Sequence, residues 1–283
     1  MELEFAKMEG LGNDFILLDD RKKKIEPYEN YPTLAKRLCS RHFGIGADGI
    51  ILILESMDHD MKFRIYNSDG SQAQMCGNGM RCFAKYLYEN KISSQKKIRV
   101  DTKAGTIIPE VMLDDKDQVQ SVRVDMGEPS LLCKDIPFKG DNEKAIEERL
   151  IVGDEEYHIT AVSMGNPHAV IFVDEVKKLD IKRIGRLIET HERFPGKTNV
   201  EFVEVVNKEE LKMRVWERGA GITLACGTGA CASLVAASLT GRSGDKAIIH
   251  LDGGDLDIHW DKTTNHIFKT GPATLVFEGR IRI

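Results

Sequence analysis

A short turn that occurs twice places the strongest constraint on the fold of this chain. Cys76-Gly77-Asn78-Gly79 and Cys226-Gly227-Thr228-Gly229 each set a thiol before a Gly-x-Gly sequence, and each opens a helix-like stretch. The two cysteines lie 150 positions apart (226 − 76) in a chain of 283 residues. Each half of the chain then carries strands, one such turn and one helix, which predicts two similar domains with a pseudo-two-fold relation.

The repeated turn also predicts chemistry. The start of a helix offers unpaired N–H groups and a partial positive charge, which favour both a bound anion and a thiolate. The glycines let a ligand approach the main chain closely. A single cysteine at a tight turn is more often a small buried hydrophobic residue, but the repetition favours a functional pair, Cys76 and Cys226. We expect the two thiols to face one small anionic substrate, one from each side.

Two other interpretations of these turns fit the sequence less well. A zinc site is disfavoured because the chain has no Cys-x-x-Cys pair, and the neighbouring Cys82 and Cys231 have the wrong spacing for a zinc knuckle. A phosphate-binding loop is disfavoured because no Lys-Ser/Thr follows the glycines. No lysine stands out as an anchor for pyridoxal phosphate. We therefore predict a site without a metal ion or a cofactor.

Charge and composition disfavour several classes of partner. The net charge is −5 with a pI of about 6.0, and Lys and Arg are spread along the chain, so we expect neither nucleic acid nor a membrane surface as a partner. The N-terminus has acids where a secretory signal has bases, and no apolar stretch approaches the roughly 18 residues of a membrane span. The six cysteines are too scattered for a disulfide scaffold. A cytoplasmic protein with free thiols is the expectation.

Alternating apolar residues predict an α+β fold with mostly antiparallel sheet, since regular βαβ alternation is absent. The predicted strands are 61–66, 97–102, 119–126, 158–162, 169–174, 200–206, 211–216, 247–251, 256–260 and 273–277. The predicted helices are 32–41, 78–90, 181–192 and 229–239. The last helix is apolar or small on every side, which predicts a buried central helix wrapped by a curved sheet.

The domain boundary is predicted at the turn-forming sequence Gly127-Glu128-Pro129-Ser130. This boundary gives an N-terminal domain of residues 1–126 and a C-terminal domain of residues 127–270. The final strands, residues 271–283, are expected to pair back onto the first domain.

Two polar turns near the second thiol are candidates for substrate contacts. Arg218 lies at the end of a predicted strand beside a glycine turn, where it could bind a carboxylate through two hydrogen bonds. A surface ion pair with Glu217 is the alternative, although neighbours on a strand point to opposite faces. Asn166-Pro167 is a turn former, so Asn166 has a structural interpretation as well. His168 gains a functional interpretation if it lies near a cysteine, which it could orient or ionise.

Two further glycine-rich turns carry asparagines, namely Asn13 in 10–15 and Asn67 in 67–71. Considered alone, the asparagines are explained as ordinary turn-forming residues. Their side-chain amides are nevertheless good neutral partners for ammonium and carboxylate groups in a dry pocket.

Together these stretches resemble the diaminopimelate epimerase family, cofactor-independent enzymes that interconvert LL- and meso-2,6-diaminoheptanedioate. The resemblance rests on five stretches in the family's order along the whole chain, at 10–15, 67–71, 75–82, 165–168 and 217–229. It implies two domains, each a sheet wrapped round a central helix, with the active site in the cleft between them. It also implies a homodimer that serves lysine and peptidoglycan synthesis.

The resemblance implies roles for individual residues. Cys76 and Cys226 would be the acid/base pair, and His168 and Glu217 would assist the thiols. Backbone groups at Gly77-Asn78 and Gly227-Thr228 would hold the carboxylate at the reacting centre. The implied substrate ligands are Asn13, Asn67, Asn166, Asn199, Glu217 and Arg218. Of these, Asn199 is implied by the resemblance alone.

Two departures from the family's pattern leave the substrate slightly open. Some members carry Gln after the Asp of the Gly-x-Gly-x-Asp stretch, where this chain has Gly49, and many carry Glu where Ile222 stands. Related racemases use the same cysteine pair on other amino acids, so a racemase of another amino acid is the alternative. A small-ligand binding protein and a redox switch built on the two thiols are alternatives from other classes.

Overall fold

A computed structural model describes all 283 residues, which form 19 strands and four α-helices. The strands are β1 (Glu2–Gly10), β2 (Asn13–Asp19), β3 (Gly49–Leu54), β4 (Met61–Asn67), β5 (Gln72–Ala73), β6 (Val100–Thr102), β7 (Gly105–Ile107), β8 (Glu110–Leu113), β9 (Val119–Asp125), β10 (Glu148–Val152), β11 (Glu155–Ser163), β12 (Pro167–Phe172), β13 (Asn199–Asn207), β14 (Glu210–Glu217), β15 (Gly221–Thr223), β16 (Lys246–Leu251), β17 (Gly254–Asp261), β18 (His266–Gly271) and β19 (Thr274–Arg282). The helices are α1 (Tyr31–Cys39), α2 (Gly77–Glu89), α3 (Ile181–Glu189) and α4 (Gly227–Leu239).

These elements form two sheet-rich units. The N-terminal unit comprises Met1–Asp125 together with Thr270–Ile283, and the C-terminal unit is Met126–Lys269. The predicted fold class, α+β with two sheet-rich domains and few helices, is confirmed.

The N-terminal unit contains a mixed sheet in the order β19-β1-β2-β3-β4-β6-β7, with β5 paired to β4. The pairs β2–β3 and β4–β6 are parallel and the other pairs are antiparallel. Strands β8 and β9 form an antiparallel hairpin. Helix α2 packs against β1, β2 and β3 and also against β8 and β9, so it is the central helix of this unit.

The C-terminal unit repeats this topology. Its sheet runs β10-β11-β12-β13-β14-β16-β17-β18, with β15 paired to β14. The parallel pairs, β12–β13 and β14–β16, fall at the same two places in the order. Helix α4 packs against β11, β12, β13, β16 and β17. The repetition predicted from the two turns therefore extends over the first seven strands of the order.

Helix α4 is buried all round, as its sequence predicts. Its residues are small or apolar, and the core positions from Ala230 to Ala237 are 0% exposed. Small side chains allow strands to approach the helix axis closely, and a helix with no polar face has nothing to present to water. This packing fixes the N-terminus of α4, where Cys226 lies.

Two hairpins set the position of two candidate asparagines. The β1–β2 hairpin turns through Leu11 and Gly12, whose φ angles of 61° and 83° are both positive, as in a two-residue turn that matches strand twist. Asn13 follows directly as the first residue of β2. In the β11–β12 hairpin, Gly165 has a φ of 88° and Asn166 directly precedes β12. Both asparagines thus lie at the entrance of the second strand.

The differences from the sequence predictions concern mainly the strands. The four predicted helices are present with ends shifted by up to three residues. Nine strands that the sequence analysis did not predict are present, namely β1, β2, β3, β5, β7, β8, β10, β15 and β18. In β3, for example, five consecutive residues from Gly49 are buried. A strand covered on both faces reads as one continuous apolar run rather than as alternation.

Candidate active site

Both thiols occupy the capping position of a central helix. Cys76 precedes α2 with extended backbone angles, and its sulfur accepts a hydrogen bond from the N–H of Gly79 at 3.4 Å. Cys226 precedes α4 in the same way, and its sulfur accepts from Gly229 at 3.4 Å. Ser, Thr, Asp and Asn are the usual residues at this position. The other N–H groups of the first turn have no intrahelical acceptor and carry the positive end of the helix dipole.

In the N-terminal unit, the thiol of Cys76 is tied to two asparagines. The side-chain oxygen of Asn13 accepts from the Cys76 thiol at 3.8 Å and from the amide of Asn78 at 3.3 Å. The amide nitrogen of Asn13 donates to Asp48 at 2.7 Å. These bonds fix the orientation of the Asn13 amide beside the sulfur.

An acidic pair supports this arrangement from the other side. Arg41 donates to both Asp14 and Asp48, at 2.8 and 2.9 Å, and Lys7 donates to Asp14 at 2.6 Å. Burial alone raises the pKa of Asp14, but the hydrogen bonds from Arg41 and Lys7 outweigh it and hold this pKa at about 2. Asp14 is therefore ionised at neutral pH. Asp14 and Asp48, called here the acidic pair, hold the Asn13 side chain in place.

A buried cation completes the surroundings of Cys76. Arg81 lies on α2 and is 0% exposed. Its guanidinium donates to the Asn78 side chain and to the carbonyl of Pro272, both at 2.9 Å, while its Nη2 has no partner. A Cβ on Gly10 would lie 3.0 Å from that nitrogen. Asn78 thus links a positive charge to the amide that contacts the thiol.

In the C-terminal unit, a chain of polar contacts leads to Cys226. The Nδ1 atom of His168 lies 2.7 Å from a carboxylate oxygen of Glu201, and both side chains are 0% exposed. The Nε2 atom of His168 lies 3.0 Å from the side-chain oxygen of Asn166. The Asn166 amide donates to the hydroxyl of Thr228 at 3.4 Å, and that hydroxyl lies 3.6 Å from the Cys226 sulfur.

Two carboxylates control the charge of the second thiol. Burial raises the pKa of Glu217, which accepts a hydrogen bond from the hydroxyl of Thr223. Burial also raises the pKa of Cys226 well above its usual value, and the nearby carboxylates of Glu217 and Glu201 raise it further. Cys226 therefore carries its proton at neutral pH.

Asn199 and Arg218 form a second group in the C-terminal unit. Asn199 is 4% exposed, and its amide donates to the carbonyl of Pro167 at 2.8 Å while its side-chain oxygen accepts from the backbone of Arg218 at 2.9 Å. The guanidinium of Arg218 donates to the carbonyl of Gly196 at 3.2 Å in an exposed setting. Asn199 therefore joins the β11–β12 hairpin to the turn that carries Arg218.

Comparison with known protein families identifies the family of this chain. A model of the family described as diaminopimelate epimerase matches residues 5–132 and 160–276. The chain belongs to the diaminopimelate epimerase family. The resemblance that the sequence motifs indicated is confirmed.

Curated members of the diaminopimelate epimerase family match over the full length. The chain is 62% identical to a protein named diaminopimelate epimerase from Desulforapulum autotrophicum, covering 100% of both chains. It is 50% identical to one from Methanococcus maripaludis, covering 99% of this chain and 100% of the relative. Both relatives therefore match this chain from end to end.

Solved structures share the fold at low sequence identity. A PhzF-family phenazine biosynthesis protein from Bacillus anthracis superposes with a TM-score of 0.72 at 17% identity, covering 100% of both chains. A hydroxyproline epimerase from Agrobacterium vitis superposes with a TM-score of 0.69 at 13% identity, covering 99% of this chain and 92% of that one. These similarities concern the fold alone.

One departure from the diaminopimelate epimerase pattern has a steric reason in this chain. A Cβ on Gly49 would lie 2.7 Å from the carbonyl oxygen of Tyr66 on the adjacent strand β4. Glutamine at this position would therefore clash with backbone rather than reach a ligand. The other departure, Ile222, is exposed on the short strand β15.

The structure groups most of the predicted site residues, within each unit by itself. The N-terminal unit brings together Asn13, Cys76, Gly77 and Asn78. Asn67 lies at the exposed end of β4, where its amide donates to Ser71 at 2.9 Å. The C-terminal unit joins two sets: the first is Asn166, His168, Glu217, Cys226, Gly227 and Thr228, and the second is Asn199 and Arg218.

Three charged residues of these surroundings were missed by the sequence analysis, namely Arg81, Glu189 and Glu201. Glu189 accepts from the indole of Trp216 at 2.7 Å and from the N–H of Gly219 at 3.0 Å, and it thereby holds the turn around Arg218. Glu201 had one detectable signal, since it interrupts an otherwise apolar stretch at the start of β13. Arg81 and Glu189 follow ordinary helix patterns, and only the tertiary structure shows that they are buried.

The other cysteines and acidic groups show no second site. Burial raises the pKa of Cys39, Cys82 and Cys231 to about 12, and Cys133 is also buried. These four thiols are buried and pack as small apolar side chains. No three His, Cys, Asp or Glu side chains lie close enough together to hold a metal ion. No helix is long and apolar enough to span a membrane.

Proposed function

We propose that this protein epimerises LL-2,6-diaminoheptanedioate to the meso form by proton transfer between two cysteines, without a bound cofactor. The observation that carries the proposal is the pair of thiols, Cys76 and Cys226, each capping the central helix of a repeated unit. Family membership supplies the substrate, since the full-length relatives carry that activity in their names.

The proposed reaction needs one thiolate and one thiol. Cys226 holds its proton, so the base for the first substrate is Cys76. The Cys76 thiolate removes the α-proton, the electron pair of the broken C–H bond spreads into the carboxylate, and the Cys226 thiol delivers its proton to the opposite face of the carbon. After turnover the two sulfurs have exchanged protonation states, and proton exchange with water restores them before the next LL substrate reacts.

The carbanion needs strong electrostatic stabilisation, because an α-proton is far less acidic than a thiol. We propose that the free N–H groups at Gly77-Asn78 and Gly227-Thr228 bind the carboxylate at the reacting centre. Each preorganised donor of this kind can contribute on the order of 10²–10³ in rate. The helix dipoles add positive potential at the same place.

The remainder of the substrate requires polar partners. We assign the distal carboxylate to Arg218, whose exposed guanidinium can form two parallel hydrogen bonds. The ammonium and carboxylate groups are assigned to Asn13, Asn67, Asn166, Asn199 and Glu217. His168 and Glu217 assist the thiols. A cytoplasmic homodimer that serves lysine and peptidoglycan synthesis is part of the proposal.

An epimerisation assay tests this function. Purified protein is incubated with LL-diaminoheptanedioate and, separately, with a panel of single L-amino acids, and the stereoisomers are separated by chiral chromatography. We expect the meso form to appear and the single amino acids to remain unchanged. Racemisation of one of the single amino acids, with no reaction of LL-diaminoheptanedioate, would instead establish the alternative racemase.

Single-cysteine variants assign the two bases in the same assay. Cys76→Ala and Cys226→Ala should each abolish epimerisation, because each removes one of the two proton carriers. Cys82→Ala, which truncates a buried thiol six positions after Cys76 on the same helix, is the control and should retain activity. An active Cys76→Ala or Cys226→Ala protein would refute the two-base assignment.

A further inference from the structure

The repeated topology allows the two thiol environments to be compared position by position. In the N-terminal unit, Ile51 on β3 pairs with Ile65 on the antiparallel strand β4. In the C-terminal unit, Glu201 on β13 pairs with Val215 on the corresponding strand β14. Ile51 and Glu201 each lie 25 positions before the capping cysteine of their unit (76 − 51 and 226 − 201). They therefore occupy the same place in the repeat.

These two side chains lie beneath the first turn of the central helices. A Cβ on Gly79 would lie 2.9 Å from the terminal methyl of Ile51. A Cβ on the matching Gly229 would lie 2.7 Å from a carboxylate oxygen of Glu201 and 3.2 Å from the Cys226 sulfur. The first unit thus places a methyl group under its thiol turn, and the second unit places a carboxylate there.

The burial of Glu201 has no evident structural benefit. The side chain is 0% exposed, one oxygen contacts His168, and the other oxygen has no hydrogen-bond partner. A buried carboxylate with an unsatisfied oxygen destabilises a fold. Ile51 shows that an apolar side chain fills the same place in this topology. A charge retained at such a position is typical of a functional role.

We propose that Glu201 is a positioning residue of the epimerisation, which holds the His168 ring in place through its Nδ1–H and keeps Cys226 protonated between turnovers. This inference rests on the proposed function of the site. Glu201 does not reach the reacting atoms itself, and it acts through His168 and through its charge.

The first effect is orientation of the imidazole ring. A carboxylate accepts hydrogen bonds, so the Nδ1 atom of His168 carries a proton directed at Glu201. The Nε2 atom then lies 3.0 Å from the side-chain oxygen of Asn166, so both ring nitrogens face oxygen acceptors and the orientation of the ring is fixed. From there the contacts continue through Thr228 to the Cys226 sulfur. Loss of the carboxylate would free the ring to rotate or to change tautomer.

The second effect is electrostatic. A negative charge close to a thiol disfavours the thiolate. The titratable groups that surround Cys226 are Glu217 on β14, Glu201 on β13 and His168 on β12. Glu201 and Glu217 therefore act in the same direction, and together they keep the proton on the sulfur until a substrate binds.

The test compares Glu201→Gln with Glu204→Gln. Glu204 lies three residues further along β13, where it binds Lys212 at 2.8 Å and has no contact with the thiol. Both substitutions keep the side-chain volume and remove one negative charge. The rate of alkylation of Cys226 by iodoacetamide is followed from pH 6 to pH 11 by peptide mass spectrometry, with Cys76 in the same sample as an internal reference.

We expect Glu201→Gln to lower the pH midpoint of Cys226 alkylation by about one pH unit or more, because a like charge has been removed. The midpoint of Cys76 should not move, and Glu204→Gln should move neither. An unchanged or raised Cys226 midpoint in Glu201→Gln would overturn the proposal. Glu201→Asp keeps the charge and should keep the midpoint of the unsubstituted protein.

Kinetics separate positioning from a structural role. Glu201→Gln should lower kcat by about 10- to 100-fold, by analogy with the loss of carboxylate partners of metal-ligating histidines, with KM changed less than about twofold. A purely structural role predicts normal kcat, since the substituted side chain has the same shape. Glu201→Asp should recover part of the lost kcat.

A measurement on the unsubstituted protein needs no variant of Glu201. Nitrogen-15 NMR of labelled histidines reports which ring nitrogen carries the proton, and His168→Gln identifies the resonance. We expect Nδ1 of His168 to be protonated, and a bare Nδ1 would overturn the proposal. Alkylation and NMR require no substrate, so a protein that fails to epimerise diaminoheptanedioate would contradict the proposed function and leave these two results interpretable.

Discussion

The two units share a topology but differ in the groups that surround their thiols. In each unit a cysteine caps a central helix and a glycine three residues later donates its N–H to the sulfur. Around Cys76 the cation of Arg81 is buried and is linked through Asn78. Around Cys226 the buried charges are the carboxylates of Glu201 and Glu217. The fold supplies the capped helix, and individual side chains supply the difference in charge.

The difference follows matching positions of the repeat. Strand register pairs Phe15 with Gly49 in the first unit and His168 with Asn199 in the second. The same register aligns Ile51 with Glu201, as described above. Every one of these replacements puts the polar or ionisable residue in the C-terminal unit. The repeated scaffold thereby places buried carboxylates beside the thiol of the C-terminal unit, where they raise the pKa of Cys226.

The largest effect is expected from adding a methyl group at the two matching glycines. Gly229→Ala should lower kcat by about 100-fold, because the new Cβ would push against the Glu201 carboxylate and the Cys226 sulfur, and a displacement of about 1 Å can cost this much. Gly79→Ala should lose less than about tenfold, since the flexible end of Ile51 can move and no Cys76 atom lies within 3.5 Å of the new Cβ. Equal losses of kcat in Gly229→Ala and Gly79→Ala would show that the two thiol turns do not differ in the way described.

A smaller effect is expected from Arg218→Lys. Lysine cannot form two parallel hydrogen bonds with a carboxylate, so KM for LL-diaminoheptanedioate should rise about tenfold with little change in kcat. Arg214→Lys is the matched control, because Arg214 lies on β14 four residues before Arg218 and binds Asp252 at 2.9 Å. An unchanged KM in Arg218→Lys would remove this residue from the substrate site and leave the C-terminal unit without its carboxylate anchor.

The smallest effect concerns stability at acid pH. The folded-state pKa of Asp14 is about 2, against 3.8 for an unperturbed Asp. Its stabilising contribution, reduced to about 1 kcal/mol by solvent screening of the partly exposed pair, is present above the unfolded value and is lost as the pH falls from about 4 to 2. Glu217 has the opposite sign, since its pKa is raised and its contribution is lost as the pH rises through the folded value.

Hydrogen exchange of β1 and β2 amides between pH 5 and pH 2 measures the Asp14 contribution. Asp14→Asn should flatten the pH dependence of protection in the N-terminal unit, whereas the exposed Asp115→Asn should not. If protection depended on pH equally in Asp14→Asn and in the unsubstituted protein, the acidic pair would contribute nothing to the stability of the N-terminal unit.

Local features of the sequence predict much of the fold. The Cys-Gly-x-Gly turns predict where α2 and α4 begin, because capping depends on residues within one turn. The uniform small apolar character of α4 predicts its burial. Strand β3 could not be predicted by alternation, since both of its faces are covered.

The electrostatics of the site could not be predicted from sequence. Glu201 and His168 lie 33 positions apart in the sequence (201 − 168). They meet because β12 and β13 pair in parallel. Arg81 binds the carbonyl of Pro272, which is near the other end of the chain. A motif shows which residue types are present, but buried charge depends on partners that only the tertiary structure brings together.

The most direct test of the two-base claim is epimerisation of LL-diaminoheptanedioate in heavy water, stopped at low conversion. Cys76 receives the substrate proton and Cys226 delivers a solvent-derived deuteron, so we predict deuterium at the inverted carbon of the meso product and none in the recovered LL substrate. Equal early labelling of substrate and product would show a single shared base, and the assignment of one thiol to each face would be wrong.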